Sequence, residues 1–270
     1  MAPPEFHAAP PPPGGLDPVV RFPLRLKVLL ALALAGLCLM LSLSALLPTL
    51  VIEHFDRQEE RRMHADTLRV GQALSSELAS LSTYVANWST WDDTYAYVHR
   101  PTRAYQTSNL VPSSFEAGRL NLLVFLDRRG RVVTARAYDL AAHRPVPAAT
   151  LTREVLRGPR PLLMPRGETD TRQGVVTLPS GAWLLAARPI LTSAGGGPAA
   201  GTLIMGRQLT PALLGDLKRD ARLSLQVEPA APGPGAPGGV LVRARDAARL
   251  EGRTLVRDLA GRPSLALVVG

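Results

Sequence analysis

The chain has 270 residues, with 31 Lys and Arg against 22 Asp and Glu and a formal net charge of +9 at neutral pH. The arginines of residues 53–270 are scattered through that stretch, with neither a clustered basic patch nor an aromatic platform between them, so a nucleic-acid partner has no footprint here. Cys38 is the single cysteine, which excludes an intrachain disulfide and a Cys-based metal site.

Residues 1–20 are Pro-rich and have too little apolar side-chain volume to pack, which predicts a disordered tail. Residues 21–52 predict a transmembrane anchor. Within them Val28–Ile52 carries no charge, and as a helix it would rise about 37 Å against a hydrocarbon core of about 30 Å. A cleaved signal peptide has an apolar core of only about 7–15 residues before a small-residue cleavage site, whereas this run is longer and ends in Leu-Val-Ile. Arg21, Arg25 and Lys27 crowd the first flank, and the immediate flanks favour a cytoplasmic N-terminus. The expectation is a single pass through the cell membrane, with residues 53–270 forming one extracytoplasmic domain.

Residues 53–98 predict a long helix. Gly71, Leu74, Leu78, Leu81, Val85 and Trp88 follow at steps of 3, 4, 3, 4 and 3, a heptad-like seam. The seam either packs on the domain's own sheet or, near the membrane, pairs with a second copy. The short reach of the repeat and its glycine favour the first for most of its length.

Residues 99–270 predict a mixture of strands and a few helices. "HRPTRAYQTSNLVPSSFEAGRL" reads as loop with one short turn, and "LNLLVFLD", "RRG", "RVVTARAYD" as strand, turn and strand. "ATLTREVLRG" is a short helix with Thr150 or Thr152 as cap and Gly158 as stop. "QGVVTL", "PSG" and "AWLLAARPIL" form a second hairpin. "TSAGGGPAAG" reads as a flexible turn, "TLIMGRQL" as a strand, and "TPALLGDLKRDA" as a helix with Pro211 in its first turn. "RLSLQVE", "TLVRDL" and "SLALVVG" are closing strands around an exposed insertion at about 229–239. Hairpin-paired strands with segregated helices indicate an α+β architecture.

Catalytic patterns are missing. There is no Gly-x-Ser-x-Gly elbow and no His-Glu-x-x-His pair, and the five histidines are scattered. "GPGAPG" matches the dinucleotide pattern in letters, but its prolines and the lack of a βαβ unit make it a low-complexity loop. The expectation is a non-enzyme without cofactor or metal. "NWS" at Asn87 is a glycosylation sequon in letters and carries little weight.

The stretch "NWSTWDDTYAYV", Asn87–Val98, concentrates two of the three Trp and two of the five Tyr around Asp92 and Asp93. Adjacent carboxylates on a helix point about 100° apart, so they form no catalytic dyad. Continued past Trp88, the seam reaches Asp92 and Tyr95, which would bury a carboxylate and oblige it to find a partner. Alternatively the helix breaks at Asn87, Ser89 caps a new one, and Asp92 lies near the positive end of its dipole. Trp88, Trp91 and Tyr95 at helical spacing also fit plain core.

Taken in order, "NWSTWDDTYAYV", "TSNL", "LNLLVFLDRRGRVV" and "RPILTSAGGGPAAGTLIMGRQL" resemble the fourth class of CHASE domains, extracytoplasmic sensor modules of prokaryotic histidine kinases and diguanylate cyclases. The resemblance covers roughly residues 53–270 and implies a PAS/Cache-like fold, a long helix laid on a curved antiparallel sheet. Family members continue into a second span and an output domain. With no second apolar run and no kinase or cyclase motif read in this sequence, the expectation is either the sensor part of a larger or broken gene or a free-standing module that works through a partner. A ligand site implied by the resemblance would comprise Trp88, Trp91, Asp92 and Tyr95 from the helix, Asn109 from the loop, Asn121 from the first strand and Arg188 from the hairpin. These same residues could instead lock helix to sheet, with Arg188 pairing Asp92. Expected partners are the membrane, an unidentified small molecule, and either a second copy through the stalk helix or a separate signalling protein. The alternative is a membrane-anchored interaction scaffold that binds no small ligand.

Overall fold

The computed structural model describes residues 23–221, 224–230, 239–246 and 249–270, without the side chains of 26–27, 45–57, 218–221, 229, 244–246 and 249. The tail at 1–20 and most of the insertion, 231–238, lie outside the described residues. The chain divides into two compact units, Met1–Asp56 and Arg57–Gly270. Helix α1, Leu24–Ser89, contributes to both.

In the first unit, the described side chains from Val28 to Ser44 are uncharged and exposed. Among the described residues no helix is long and apolar enough to cross a membrane, so the span expected at 21–52 is not found there. Residues 28–44 rise about 25 Å, short of a core of about 30 Å, and the rest of the apolar run has its side chains outside the description.

The second unit is built on two antiparallel sheets. The first has the order β3-β2-β1-β6-β5-β4, with β1 Leu122–Asp127, β2 Val132–Asp139, β3 Arg144–Val146, β4 Arg172–Leu178, β5 Gly181–Ile190 and β6 Gly201–Gln208. Its central strands read as continuous apolar runs because both faces are covered. Leu123 and Phe125 point into one core, while Leu122, Val124 and Leu126 point into another. The first core lies under α1 and the helices α2 (Asp92–His99), α3 (Arg103–Asn109) and α4 (Pro112–Gly118). The second lies under α5 (Ala149–Arg157) and α6 (Arg160–Leu163).

After α7, Pro211–Ala221, the closing strands do not extend this sheet. They form a second sheet of order β7-β10-β9-β8, with β7 Leu225–Pro229, β8 Val240–Asp246, β9 Arg249–Arg257 and β10 Pro263–Val269. The α1 seam serves both sheets. Val70, Leu74, Leu81, Val85 and Trp88 share one core with Leu184 and Met205 of the first sheet and Leu265 and Leu267 of the second. The seam therefore packs on the protein's own sheets.

Three local expectations are corrected. The helix of 53–98 breaks at Thr90–Trp91, giving α1 and α2. The stretch read as loop after Val98 holds two helices. Thr102 accepts from the Tyr105 amide at 3.3 Å to start α3, and Pro112 opens α4, where its missing N–H costs nothing. Each is too short to show a period, and each is anchored by one buried ring, Tyr105 or Phe115. Helix α5 starts after Ala148 with no side-chain cap, although Gly158 stops it as expected.

Candidate functional site

The break between α1 and α2 creates the site. Ser89 does not cap α2, because its hydroxyl donates back to the Ala86 carbonyl at 3.1 Å. Trp91 takes the N-cap position in extended conformation (φ −95°, ψ 132°), and Asp92 becomes the first residue of α2. This turn rotates the carboxylate out of the seam and leaves it exposed. Asp92 accepts from the Ser193 amide at 2.9 Å and the Ser193 hydroxyl at 2.6 Å. These bonds, the hydroxyl first and the amide second, hold its carboxyl below the usual range. One residue before the break, the Ser89 carbonyl accepts from the Leu191 amide at 2.8 Å.

The rings around Asp92 divide between core and surface. Trp88 is buried, whereas Trp91 is 47% exposed, and their centroids lie 5.8 Å apart. Tyr95 packs against His99 at 4.7 Å and donates its hydroxyl to the Pro198 carbonyl at 3.2 Å. Arg128 reaches the same carbonyl at 3.1 Å and that of Ala199 at 2.7 Å. The glycine-rich loop after β5, expected to be flexible, is thus fastened to α2 through Asp92 and Tyr95 and to the β1–β2 turn through Arg128.

The other anticipated residues belong elsewhere. Asn109 donates to the Tyr105 carbonyl within α3 at 3.2 Å. Asn121 is buried, donating to the Tyr138 carbonyl at 3.1 Å and accepting from the Gln208 amide at 2.9 Å, so it ties neighbouring strands together. Arg188 lies on β5 opposite Leu203, and the partner of Asp92 is Ser193 in its place. The structure therefore brings Trp88, Trp91, Asp92 and Tyr95 to one corner and leaves Asn109, Asn121 and Arg188 in other surroundings.

Two side-chain networks escaped the sequence reading. Beneath α2–α4, Tyr97 and Tyr105 stack with centroids 4.2 Å apart, and Phe125 meets Tyr97 edge-on at 5.5 Å. Their hydroxyls are satisfied inside the core: Thr94 with Tyr105 at 2.7 Å, and Thr134 with Tyr97 at 2.5 Å. Gln106 donates to Tyr97 at 3.0 Å. Burial pushes the Tyr105 hydroxyl up to about 12.

The second network joins α1 to β6 and α7. Arg207 is buried and donates to Glu77 Oε2 at 2.9 Å and to the Gly118 carbonyl at 3.0 Å. Burial lowers its pKa from the ordinary guanidinium value, and the Glu77 charge opposes that shift. Arg119, held at φ +50°, donates to Glu77 Oε1 at 3.2 Å and to Asp216 at 2.7 Å. A signal existed in the sequence. Glu77 is three residues from Leu74 and four from Leu81, and Arg207 alternates in phase with Leu203 and Met205, so both charges stand at inward positions.

These arrangements present an exposed carboxylate beside an exposed indole, and polar bonds that link separate elements. Among the described residues no group of three or more His, Cys, Asp or Glu is placed to hold a metal ion.

Residues 73–228 match the family model described as the CHASE4 domain. The chain is 27% identical over 199 residues to the methanogenesis regulatory histidine kinase FilI of Methanothrix harundinacea, an alignment spanning 72% of this chain and 22% of that protein. Its fold is similar to that of the extracellular domain of vpHK1S-Z8, described as a histidine kinase (TM-score 0.57, 13% identity, 79% of this chain and 91% of that one). It is also similar to a domain of a sensory box/GGDEF family protein from Vibrio parahaemolyticus (TM-score 0.56, 13% identity, 79% and 96%). With more than half of its length inside the family model, the chain belongs to the CHASE4 family of sensor domains.

Proposed function

We propose that this chain is the extracytoplasmic sensing part of a membrane-anchored signalling protein, a histidine kinase or a cyclic-di-GMP enzyme, and that it has no catalytic activity of its own. Anchoring is supported by the exposed, uncharged side chains from Val28 to Ser44, which water solvates poorly, and by the charge-free sequence that continues to Ile52.

The observation that carries the sensing role is the position of Asp92. It is exposed, yet both its carboxylate oxygens hold the loop after β5. An organic cation stacked on Trp91 would compete with Ser193 for this carboxylate and free the loop from α2. Because the Ser89 carbonyl bonds to the same loop, release there reaches the end of α1 directly. Tyr95 would flank the cation, with buried Trp88 packed behind Trp91.

The test is a thermal-shift screen of the chain against small amines and other metabolites, with Asp92→Asn as paired control. A ligand at a hundred times its dissociation constant adds about 2.7 kcal/mol, well within resolution. Stabilisation that disappears in a folded Asp92→Asn supports recognition at this corner. A second reading, an anchored interaction scaffold without a small ligand, is favoured by the ring-filled space beneath α2–α4. Absence of any hit, with Asp92→Asn badly destabilised, would select it.

A further inference from the structure

A cleft of about 730 Å³ opens on the face of the first sheet that carries α5, where β4 meets the β9–β10 turn of the second sheet. The two sheets touch there. Thr177 and Ser264 share a hydrogen bond of 2.8 Å, Val175 bridges to Asp258, and Leu259 lies against Gly174. A Cβ at Gly174 would meet the Leu259 side chain at 2.8 Å, so the approach depends on that glycine.

Three arginines line this cleft from both sides of the junction. Arg153 and Arg157 stand one turn apart on α5, and Arg262 comes from the β9–β10 turn. The acids among them are engaged. Glu154 accepts from the Ser180 amide at 3.2 Å and its hydroxyl at 2.6 Å, and Asp258 accepts from the amides of Ala260 and Arg262 and from the Arg262 side chain. Arg153 has only long contacts of 3.4 Å within α5. Among the described residues the Arg157 side chain makes no hydrogen bond or ion pair. Two exposed guanidinium groups with unused donors, beside the hydroxyls of Thr150, Thr177 and Ser264, form a cleft with positive charge and many donors.

We propose that this cleft binds a compact oxyanion carrying two negative charges, a phosphomonoester or a short dicarboxylate. The planar fork of each guanidinium donates two parallel bonds to such a group. Two anionic charges match Arg153 and Arg157, and Arg262 closes the site from the second sheet. Occupancy would tie α5 of the first sheet to the hairpin of the second. The site is separate from the Asp92 corner, and its test does not depend on that corner binding anything.

The test is a melting-temperature titration of the full chain in detergent micelles with inorganic phosphate and with succinate, against sodium chloride at matched ionic strength. At least one dianion should stabilise the protein where chloride does not. The apparent dissociation constant should weaken by about tenfold or more in Arg157→Gln, as expected for loss of a charged hydrogen bond. Arg153→Gln should behave alike, and Arg129→Gln, on the β1–β2 turn and outside the lining of the cleft, should bind as the parent does. Phosphate alone would identify the phosphomonoester class, and succinate alone the dicarboxylate class. The ligand-free melting point of Arg157→Gln should match the parent, because no native contact is lost. The proposal is overturned if neither dianion exceeds chloride. It is equally overturned if the shift survives in both α5 variants, or if Arg129→Gln abolishes it as fully.

Discussion

Arg207 on β6 donates to the Glu77 carboxylate on α1 at 2.9 Å, joining the long helix to the centre of the first sheet through a pair whose arginine is almost closed to water. The Arg207 side chain is only 5% exposed. Arg207→Met leaves Glu77 with the longer Arg119 bond alone and should cost about 1.5–3 kcal/mol, the worth of a charged hydrogen bond. The double variant with Glu77→Gln should recover a substantial part of that. Urea midpoints for the two variants check this, and equal losses would show that the guanidinium bond to Gly118 dominates.

The Asp92–Ser193 contact should be acid-labile. Its carboxyl titrates below the usual range in the folded state, so the stabilisation is present above the unfolded pKa and is lost as pH falls through the folded one. Trp91, 47% exposed beside it, is a built-in reporter. Acid titration of tryptophan fluorescence should show a transition that moves to higher pH in Ser193→Ala, since both hydroxyl and side-chain ordering of the loop are removed. A transition unaffected by Ser193→Ala would assign the signal to another carboxylate.

Tyr105 predicts the opposite limb. Burial raises its pKa to about 12, the leading cause, while the unfolded residue titrates near about 10. The folded state therefore holds the proton longer, and stability falls as pH rises from about 10 to about 12. Tyr105→Phe should flatten that fall. At neutral pH it should cost about 1 kcal/mol for the bond to buried Thr94. Chemical denaturation across the alkaline range measures both.

Two glycines should respond with opposite sign. A Cβ at Gly252 of β9 would run into the Thr67 hydroxyl and meet Met63 at 3.1 Å, where the second sheet rests on α1. Gly252→Ala should cost about 1–3 kcal/mol by overpacking. A Cβ at Gly71, within α1, meets nothing within 4 Å, so Gly71→Ala should gain up to about 1 kcal/mol from helix propensity. Melting curves of the pair distinguish close approach from helix stiffness.

Anchoring has its own assay. Expressed at full length, the chain should remain in the membrane fraction after an alkaline carbonate wash. Replacing Leu34 and Leu37 with Arg should weaken retention, because each central arginine costs about 2.5–3.5 kcal/mol on insertion. Complete release of the unmodified chain by carbonate would exclude an integral span.

The α+β class was readable from the residues alone because strands and helices leave periods of 2 and 3.6 in the pattern of apolar side chains. The stripe from Leu74 to Trp88, the β1–β2 hairpin and the Pro211 start of α7 all show this. The family was legible for a related reason, since its motifs lie in contiguous stretches. The short helices α3 and α4 were hidden because seven residues hold too few turns to display a period, and each is stabilised by a single ring inserted into the core. The candidate site was half legible. The cluster of Trp88, Trp91, Asp92 and Tyr95 is local in sequence, but its partner Ser193 is 101 residues away.

Local order along the chain is what the sequence by itself determined: which segments are helical or extended, which face of each is apolar, and where charge interrupts that face. Tertiary structure alone decided which distant group answers each interruption. Ser193 rather than Arg188 meets Asp92, Arg207 meets Glu77, and the closing strands leave the first sheet to build a second. The physical reason is that a buried or half-buried polar group must be satisfied by something, but any donor of the right kind serves. Only the packing of both sheets on one helix selects which donor arrives.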